Sequence, residues 1–598
     1  MRPTFIRVEK PKHKLLNPEY CPTPLLPPSQ RPPIQVLALD QHHQYGILTV
    51  LFRFAGFGLD RLGDKLRGRS NPLRSAVAAR ELFQGLGGLW IKLGQLLSLR
   101  SDVLSDEMCD QLSQLLYANI GFPGSVVREA IERELGCPVE KIFSRFEDAP
   151  LAAASIAQVH RAVLRQEGVP VVVKLLRPNV IEAFRRDMSL LRMVVGFLTA
   201  LLPVGHMRLN EALDELDAMV EEELDYAYEA SNSRRLRKNL RRHKVYVPYL
   251  FRRYCTGKLL VMEEIQGVLM SEAIAVSKQD PERFDAWCEE NAVEPRKVAQ
   301  HLFLSNMRQL IEDNLFHGDM HPGNIILLRN NRYALIDFGT IGALDPDFLQ
   351  IYFGVLQAAN QRAYGKAADL SLHMCTEIPQ FNIGKMRSEL ISAIKLWQAR
   401  SGMETLGYHD RSLGASGKIM GQVFAKYQLQ VSWAALRMAR TWGTLDTSLA
   451  YFDPEMNHRR MFSRYLKAAD QRRRKNAVKK IREGFMSTLQ TANEYRVLLE
   501  PIAQRATIAY KQKLNKISMA TTTVIRFLLI VTLLAIIFCV HAFLHQHFFD
   551  LGYLPGGELV DDFPSMEKEW FVVALFGLGL VTGLLRRLLR IASSAYLR

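Results

Sequence analysis

The sequence predicts an α+β protein of two lobes, preceded by a helical extension and followed by a transmembrane helical hairpin. Three observations predict it. A chain of 598 residues, 48% of them hydrophobic, is too long for one compact core. Short strand-like apolar runs, at 169–174, 259–265, 325–328 and 333–336, stand within the region 149–345. Two longer apolar runs close the chain, at 527–544 and 570–585. Each is near the lower limit of about 17–20 residues that spans a bilayer.

The flanks give the hairpin a direction. Lys511, Lys513, Lys516 and Arg526 precede the first run, and Arg586, Arg587 and Arg590 follow the second. The connection carries Asp550, Glu558, Asp561, Asp562, Glu567 and Glu569 against Lys568, with Pro555, Gly556 and Gly557 suited to a loop. Basic flanks stay on the cytoplasmic or matrix side, so both ends of the hairpin are expected there. Upstream lies a basic cluster of Arg472, Arg473, Arg474, Lys475, Lys479, Lys480 and Arg482. Beside a membrane segment it reads as attraction to anionic membrane lipid. The net charge of +16 then needs no nucleic acid partner, and no zinc finger or aromatic-interleaved basic patch argues for one.

Seven cysteines, with no CxxC pair, read as free thiols of a reducing compartment. The prolines at 18, 22, 24, 27, 28, 32 and 33 read as a disordered or extended tail. The N-terminus has neither a secretory signal nor an Arg- and Ser-rich amphipathic presequence, which favours a bacterial inner membrane over a mitochondrial one.

The strongest motif is His317, Gly318, Asp319, Met320, His321, Pro322, Gly323 and Asn324, followed by Asp337, Phe338 and Gly339. Between Asn324 and Asp337 lie a short strand, a polar turn of Arg329, Asn330, Asn331 and Arg332, and a second strand. Such a hairpin brings Asn324 and Asp337 together as two oxygen ligands for Mg²⁺. Asp319 has the spacing of a catalytic-loop aspartate that orients or deprotonates an acceptor hydroxyl. Upstream, the strand 169–174 ends in Lys174, placed to hold the phosphates of ATP and to pair with a helix glutamate. That glutamate lies in an acidic helical stretch over 213–230, where spacing alone leaves Glu221, Glu222 and Glu223 open. Residues 259–265 read as a strand and hinge where Glu263 and Ile265 offer backbone groups to adenine. No G-x-G-x-x-G precedes Lys174. Ala152, Ala153, Ala154 and Ser155 stand in its place, and alanine's Cβ predicts altered nucleotide handling. The set predicts a bilobal protein-kinase-like fold that binds ATP and Mg²⁺.

These residues resemble the UbiB family of atypical kinases, which are linked to ubiquinone biosynthesis. The resemblance covers roughly 80–345. The alanine-rich loop 152–160 is similar to the family's replacement for a glycine-rich loop. Lys92, Gly94 and Gln95 match its KxGQ signature, continued by Ser98, Arg100 and Asp102, while Glu223 and Asp225 match its ExD motif, with Glu229 following. The resemblance implies that Glu223 is the partner of Lys174. It also implies that the Lys92–Gln95 helix covers the place where a protein substrate docks in an ordinary kinase, a regulatory role. Departures are Ser105 in place of a proline, Leu115, Leu116 and Tyr117 in place of Leu-Gln-Asp, and Gly318 at the arginine position of an HRD loop.

The expected division is a Pro-rich tail (1–40), a helical extension (41–148), an N-lobe (149–270), a C-lobe (271–470), a basic linker (471–522) and two transmembrane helices (523–598). The expected function is that of a membrane-anchored atypical kinase or ATPase supporting ubiquinone biosynthesis, with quinone-biosynthesis proteins or lipid intermediates as partners. A non-catalytic, nucleotide-switched lipid-binding scaffold is the alternative, and a conventional protein kinase ranks third.

Overall fold

The computed structural model describes residues 15–27, 34–36, 47–67, 71–98, 104–113, 115, 120–154, 156–201, 209–377, 383–403, 405–483, 521–544 and 567–594. Ser155, Arg100, Asp102, Leu116, Tyr117, Lys511, Lys513, Lys516 and the 550–562 connection lie outside them. The chain forms two compact units, Met1–Thr376 with Ile383–Lys480, and Glu377–Asn382 with Ile481–Arg598.

The first unit holds an antiparallel four-stranded sheet of β1 (Phe143–Ala153), β2 (Ala157–Leu164), β3 (Pro170–Leu176) and β4 (Leu259–Glu263), in that spatial order. Side chains alternate across a strand. One face of β3 therefore buries Val171, Val173 and Leu175 against Leu259 and Val261, covered by Val127 and Ile131 of the helix Gly124–Leu135. The other face carries Val172, Lys174 and Leu176. There Leu176, Leu260 and Met262 join a second core with Leu89, Trp90 and Leu93 of the extension helix Gly88–Leu97. The extension thus packs onto the sheet face that carries Lys174. Its helix Pro72–Leu86 starts where the Asn71 side chain accepts the Leu73 and Arg74 N–H groups, and Gly87, at φ 70°, turns the chain into the next helix.

The second lobe packs Pro295–Ile311 against Trp433–Phe452, burying Leu302, Phe303, Trp442 and Leu445 in its core. Beside them Ile325–Leu328 and Arg332–Leu335 form an antiparallel hairpin, and Val268–Leu269 pairs with the other edge of Ile325–Leu328. Asn330 and Asn331 hold left-handed φ values of 61° and 57° in its turn, a conformation asparagine tolerates better than most residues.

Three expectations need correction. The first strand begins at Phe143, inside the region assigned to the helical extension, because Phe143 buries against the sheet core. The acidic stretch 213–230 is two helices, Leu209–Leu224 and Tyr226–Leu240, divided where the Asp225 side chain accepts the Ala227 N–H. Residues 15–27 of the proline-rich segment are packed in place. Trp287 Nε1 donates to Thr23 O (2.7 Å), the Thr23 N–H donates to Asn291 Oδ1 (2.9 Å), and Leu25 is 1% exposed in the main core.

The second unit contains two helices long and apolar enough to cross a membrane, Thr521–Leu544 and Lys568–Leu589, with mean hydropathy 2.9 and 1.8. Twenty-four residues make about 36 Å of helix, enough for a hydrocarbon core of about 30 Å. Phe543 and Phe571 meet edge to face at 5.5 Å. Phe527, Ile537 and Phe576 stay exposed.

Candidate active site

The hairpin register places Leu335 opposite Ile325, and the Ile336 N–H donates to Asn324 O at 3.2 Å. Asn324 and Asp337 are therefore held on adjacent rungs. Asn324 Nδ2 donates to Asp319 O (3.1 Å) and Asp319 Oδ2 (3.4 Å), which leaves its Oδ1 as the remaining acceptor. Asp337 Oδ1 accepts the Gly339 N–H at 2.9 Å. Buried His317 ties the two motifs together: the Asp319 N–H donates to Nδ1 (3.2 Å), and Nε2 donates to the Asp337 carbonyl. Both contacts fit one neutral tautomer, and burial pushes the imidazole below its ordinary pKa. The loop backbone is fixed from behind by Trp433–Phe452. Thr444 Oγ1 accepts the Met320 N–H (3.1 Å), and Ser448 Oγ donates to Met320 O (2.7 Å).

Lys174 meets this loop from the sheet. Its Nζ lies 2.9 and 2.8 Å from the two Glu229 carboxylate oxygens and 3.3 Å from Asp337 Oδ2. The Tyr226 ring lies 5.2 Å from the same ammonium. Burial alone would lower the lysine's pKa, but Asp337 and Glu229 outweigh it and hold it well above the usual value. The two carboxylates share one cation unequally. Burial also opposes ionisation of Asp337, yet Lys174 and the Gly339 N–H hold its carboxyl at about 2. Glu229 is 4% exposed, and burial raises it to about 7 despite Lys174.

The expected Lys174–Glu223 pair is not formed. Glu223 sits in the last turn of Leu209–Leu224 and binds Lys92 Nζ at 2.5 Å, with side chains 15% and 11% exposed. Glu229 lies past the Asp225 cap, in the first turns of the next helix, which face β3. The ExD segment thus divides three tasks: Glu223 binds the extension, Asp225 caps a helix, and Glu229 reaches Lys174. Gln95 Nε2 donates to Leu115 O at 3.1 Å, closing the extension on itself. The sequence held only a partial signal for this division: Asp225 is a strong N-cap residue followed by a helical run, but nothing local says which turn meets β3.

The described alanines of this segment extend β1 along β2. Ala152 and Ala153 pair with Val159 and Gln158, and the Ala154 N–H donates to Ala157 O at 2.8 Å. Arg177 Nη2 donates to Ala154 O at 3.1 Å from the end of β3. Gln158, buried, exchanges hydrogen bonds with the Phe122 backbone at 2.7 and 2.9 Å and so anchors the tip to the extension. Glu263 ends β4. Its N–H donates to Tyr249 O (2.8 Å), and its buried carboxylate accepts the Leu16 N–H (2.7 Å) and the Tyr246 hydroxyl. Of its backbone groups the N–H is thus taken, and the expected contact with adenine rests on the carbonyl. Ile265 follows two residues past the end of β4.

The donor set suits Mg²⁺. One carboxylate and one amide oxygen on adjacent rungs leave room for waters and phosphate oxygens, as this small hard cation requires.

Comparison with known proteins gives the following likenesses. Residues 119–371 match the ABC1 atypical kinase-like domain. Among curated proteins, "Probable protein kinase UbiB" of Shewanella sp. is 37% identical over 315 residues, 50% of this chain and 54% of that protein. The protein of the same name from Cronobacter sakazakii is 31% identical over 364 residues, 57% of this chain and 64% of its own length. The match thus spans somewhat more than half the length of these relatives. The solved complex of Rv3197 with erythromycin from Mycobacterium tuberculosis is 26% identical, with a TM-score of 0.42, over 66% of this chain and 96% of that one. With the ABC1 match running from before β1 past the Asp337 loop, residues 119–371 are an ABC1 atypical kinase-like domain, and the chain is similar to the UbiB proteins.

Proposed function

We propose that the protein is a membrane-anchored ATPase or small-molecule kinase that binds Mg-ATP and supports ubiquinone biosynthesis. One observation carries this reading: Lys174, Glu229 and Asp337 share a single ion cluster, one hairpin rung from Asn324, whose amide holds Asp319. Lys174 would bind phosphate oxygens, with Glu229 fixing its ammonium. Asn324 Oδ1 and Asp337 would hold Mg²⁺, which supplies neutralisation of phosphate charge. Asp319, kept in place through Asn324 Nδ2 and His317, would orient the acceptor hydroxyl or water. The buried Lys92–Glu223 pair keeps the extension packed beside this cluster, which supports a small acceptor or water over a protein chain.

The two apolar helices support anchoring in a bacterial inner membrane, with the kinase-like unit on the cytoplasmic side. Quinone profiling of a deletion strain complemented with wild type or Asp337→Asn tests the assignment. Wild type should restore ubiquinone and the variant should not; restoration by both would refute a Mg-ATP role.

The alanine-rich segment and the packed extension also favour a second reading, a nucleotide-switched lipid-binding scaffold in which binding matters and hydrolysis does not. A variant that binds ATP without hydrolysing it separates the two. Complementation by it selects the scaffold, and failure selects catalysis.

A further inference from the structure

The helix that carries Glu229 has a second face unused by the site. Arg234, Arg235 and Lys238 of Tyr226–Leu240, with Arg241 and Arg242 of the 3-10 turn that follows, are all exposed. At 100° per residue these five fall within an arc of roughly 120°. Lys244, also exposed, extends the face beyond the turn. Glu229 points the other way, into the core. Among the described residues none of these six basic heads is paired with a carboxylate. Two acids of the neighbouring segment have other partners: Asp313 lies 3.0 Å from His243, and Glu312 binds Arg472 at 2.5 Å and Arg308 at 3.8 Å.

A run of charge is usually a solvated face, and an isolated helix rich in Arg and Lys would be read that way. Two features set this one apart. It consists of one sign only, six cations with no interleaved acid. It is also continuous with the helix His458–Glu483. Arg308 Nη1 donates to Arg242 O at 3.3 Å, and Glu312 joins Arg308 to Arg472 of that helix. From Arg472 the sequence continues through Arg473, Arg474, Lys475, Lys479, Lys480 and Arg482 toward the apolar helix Thr521–Leu544.

We propose that the exposed basic face formed by Arg234, Arg235, Lys238, Arg241, Arg242 and Lys244 is a docking surface for the anionic headgroups of a lipid bilayer. Basic side chains near such a surface each gain attraction to it, and a cluster of this size acts additively within a Debye length. The surface lies on the outer side of the helix that closes on Lys174. The inference rests on the membrane-anchored reading only for the bilayer's proximity.

The test uses the full chain in nanodiscs, either of phosphatidylcholine alone or with about a third phosphatidylglycerol, an anionic fraction that gives a negative surface potential. A water-soluble acylating reagent labels lysines, and mass spectrometry reads the rates at Lys238 and Lys244 against exposed Lys141. Labelling of both should slow at least roughly threefold in anionic discs, and high salt should remove the difference, as screening requires. A variant with Arg234→Gln, Arg235→Gln, Arg241→Gln and Arg242→Gln should show equal rates in both discs. Equal rates for wild type, or a lipid dependence that survives in the variant, overturn the proposal. So does protection by a soluble polyanion without any lipid dependence. A chain that fails to enter neutral discs contradicts the transmembrane reading instead, and adding anionic vesicles to it still tests the face.

Discussion

Glu229→Gln separates the two acidic positions near Lys174. The amide keeps the volume of the carboxylate and one acceptor, but removes its charge from a position 4% exposed. Removing one partner of a buried ion pair costs about 3–5 kcal/mol. Here Asp337 remains 3.3 Å from Nζ, and one hydrogen bond to the amide oxygen survives, so the cost falls to about 2 kcal/mol. If Lys174 is then drawn toward Asp337, its phosphate contact weakens by the same amount, about thirtyfold in Kd. Calorimetric titration of the purified full chain with Mg-ATP measures this. Glu223→Gln, which breaks the Lys92 pair and leaves Lys174 anchored, should change Kd by less than about threefold, since residues without shared partners act independently. A larger loss in Glu223→Gln than in Glu229→Gln would refute the assignment of Lys174's partner.

Burial raises Glu229 to about 7, so between about 4.5 and 7 the folded chain holds a proton that the unfolded chain has released. That contribution is full below 4.5 and lost as pH rises through 7, and denaturant titrations across this window should show a decline that Glu229→Gln flattens. Asp337 acts oppositely: held at about 2, it contributes stability above its ordinary value of 3.8 and loses it as pH falls toward 2. Leu25→Ala should lower stability by about 3 kcal/mol, because Leu25 is 1% exposed in the main core, whereas a loose tail would show no change. In Gly342→Ala the new Cβ would lie 2.2 Å from the ring of buried Phe316, its strand partner, and the same titration should show a loss of about 1–3 kcal/mol.

The parts of the site legible in the sequence were those built locally. Asn324, Asp337 and the hairpin between them lie within one short segment, and the polar turn at 329–332 announces the reversal. Lys174 was legible as the lysine that ends a short apolar strand, read together with the Asp319, Asn324 and Asp337 motif. The Lys174 partner was not, because Glu223 and Glu229 are both acidic positions of a helical stretch. Their division depends on a one-residue break at Asp225 and on which helix turn meets β3. The task of the Glu263 carboxylate was hidden for a related reason, since it accepts the N–H of Leu16, a residue 247 positions away. The packing of 15–27 was hidden because proline-rich composition reports chain stiffness and says nothing of the Trp287 and Asn291 groups that hold Thr23. The two C-terminal helices needed only local apolar runs and were evident from the start.

The most direct test of the central claim is Mg²⁺-dependent ATP hydrolysis by the full chain in lipid, comparing wild type with Asp337→Asn. The substitution keeps the side chain's shape and removes the carboxylate that both Lys174 and the metal would use. Wild type should turn over ATP only with Mg²⁺, and the variant should lose about a hundredfold or more, the scale expected when a charged group on the transferring phosphoryl is removed. Equal turnover in the two proteins, or turnover without Mg²⁺, would contradict the account.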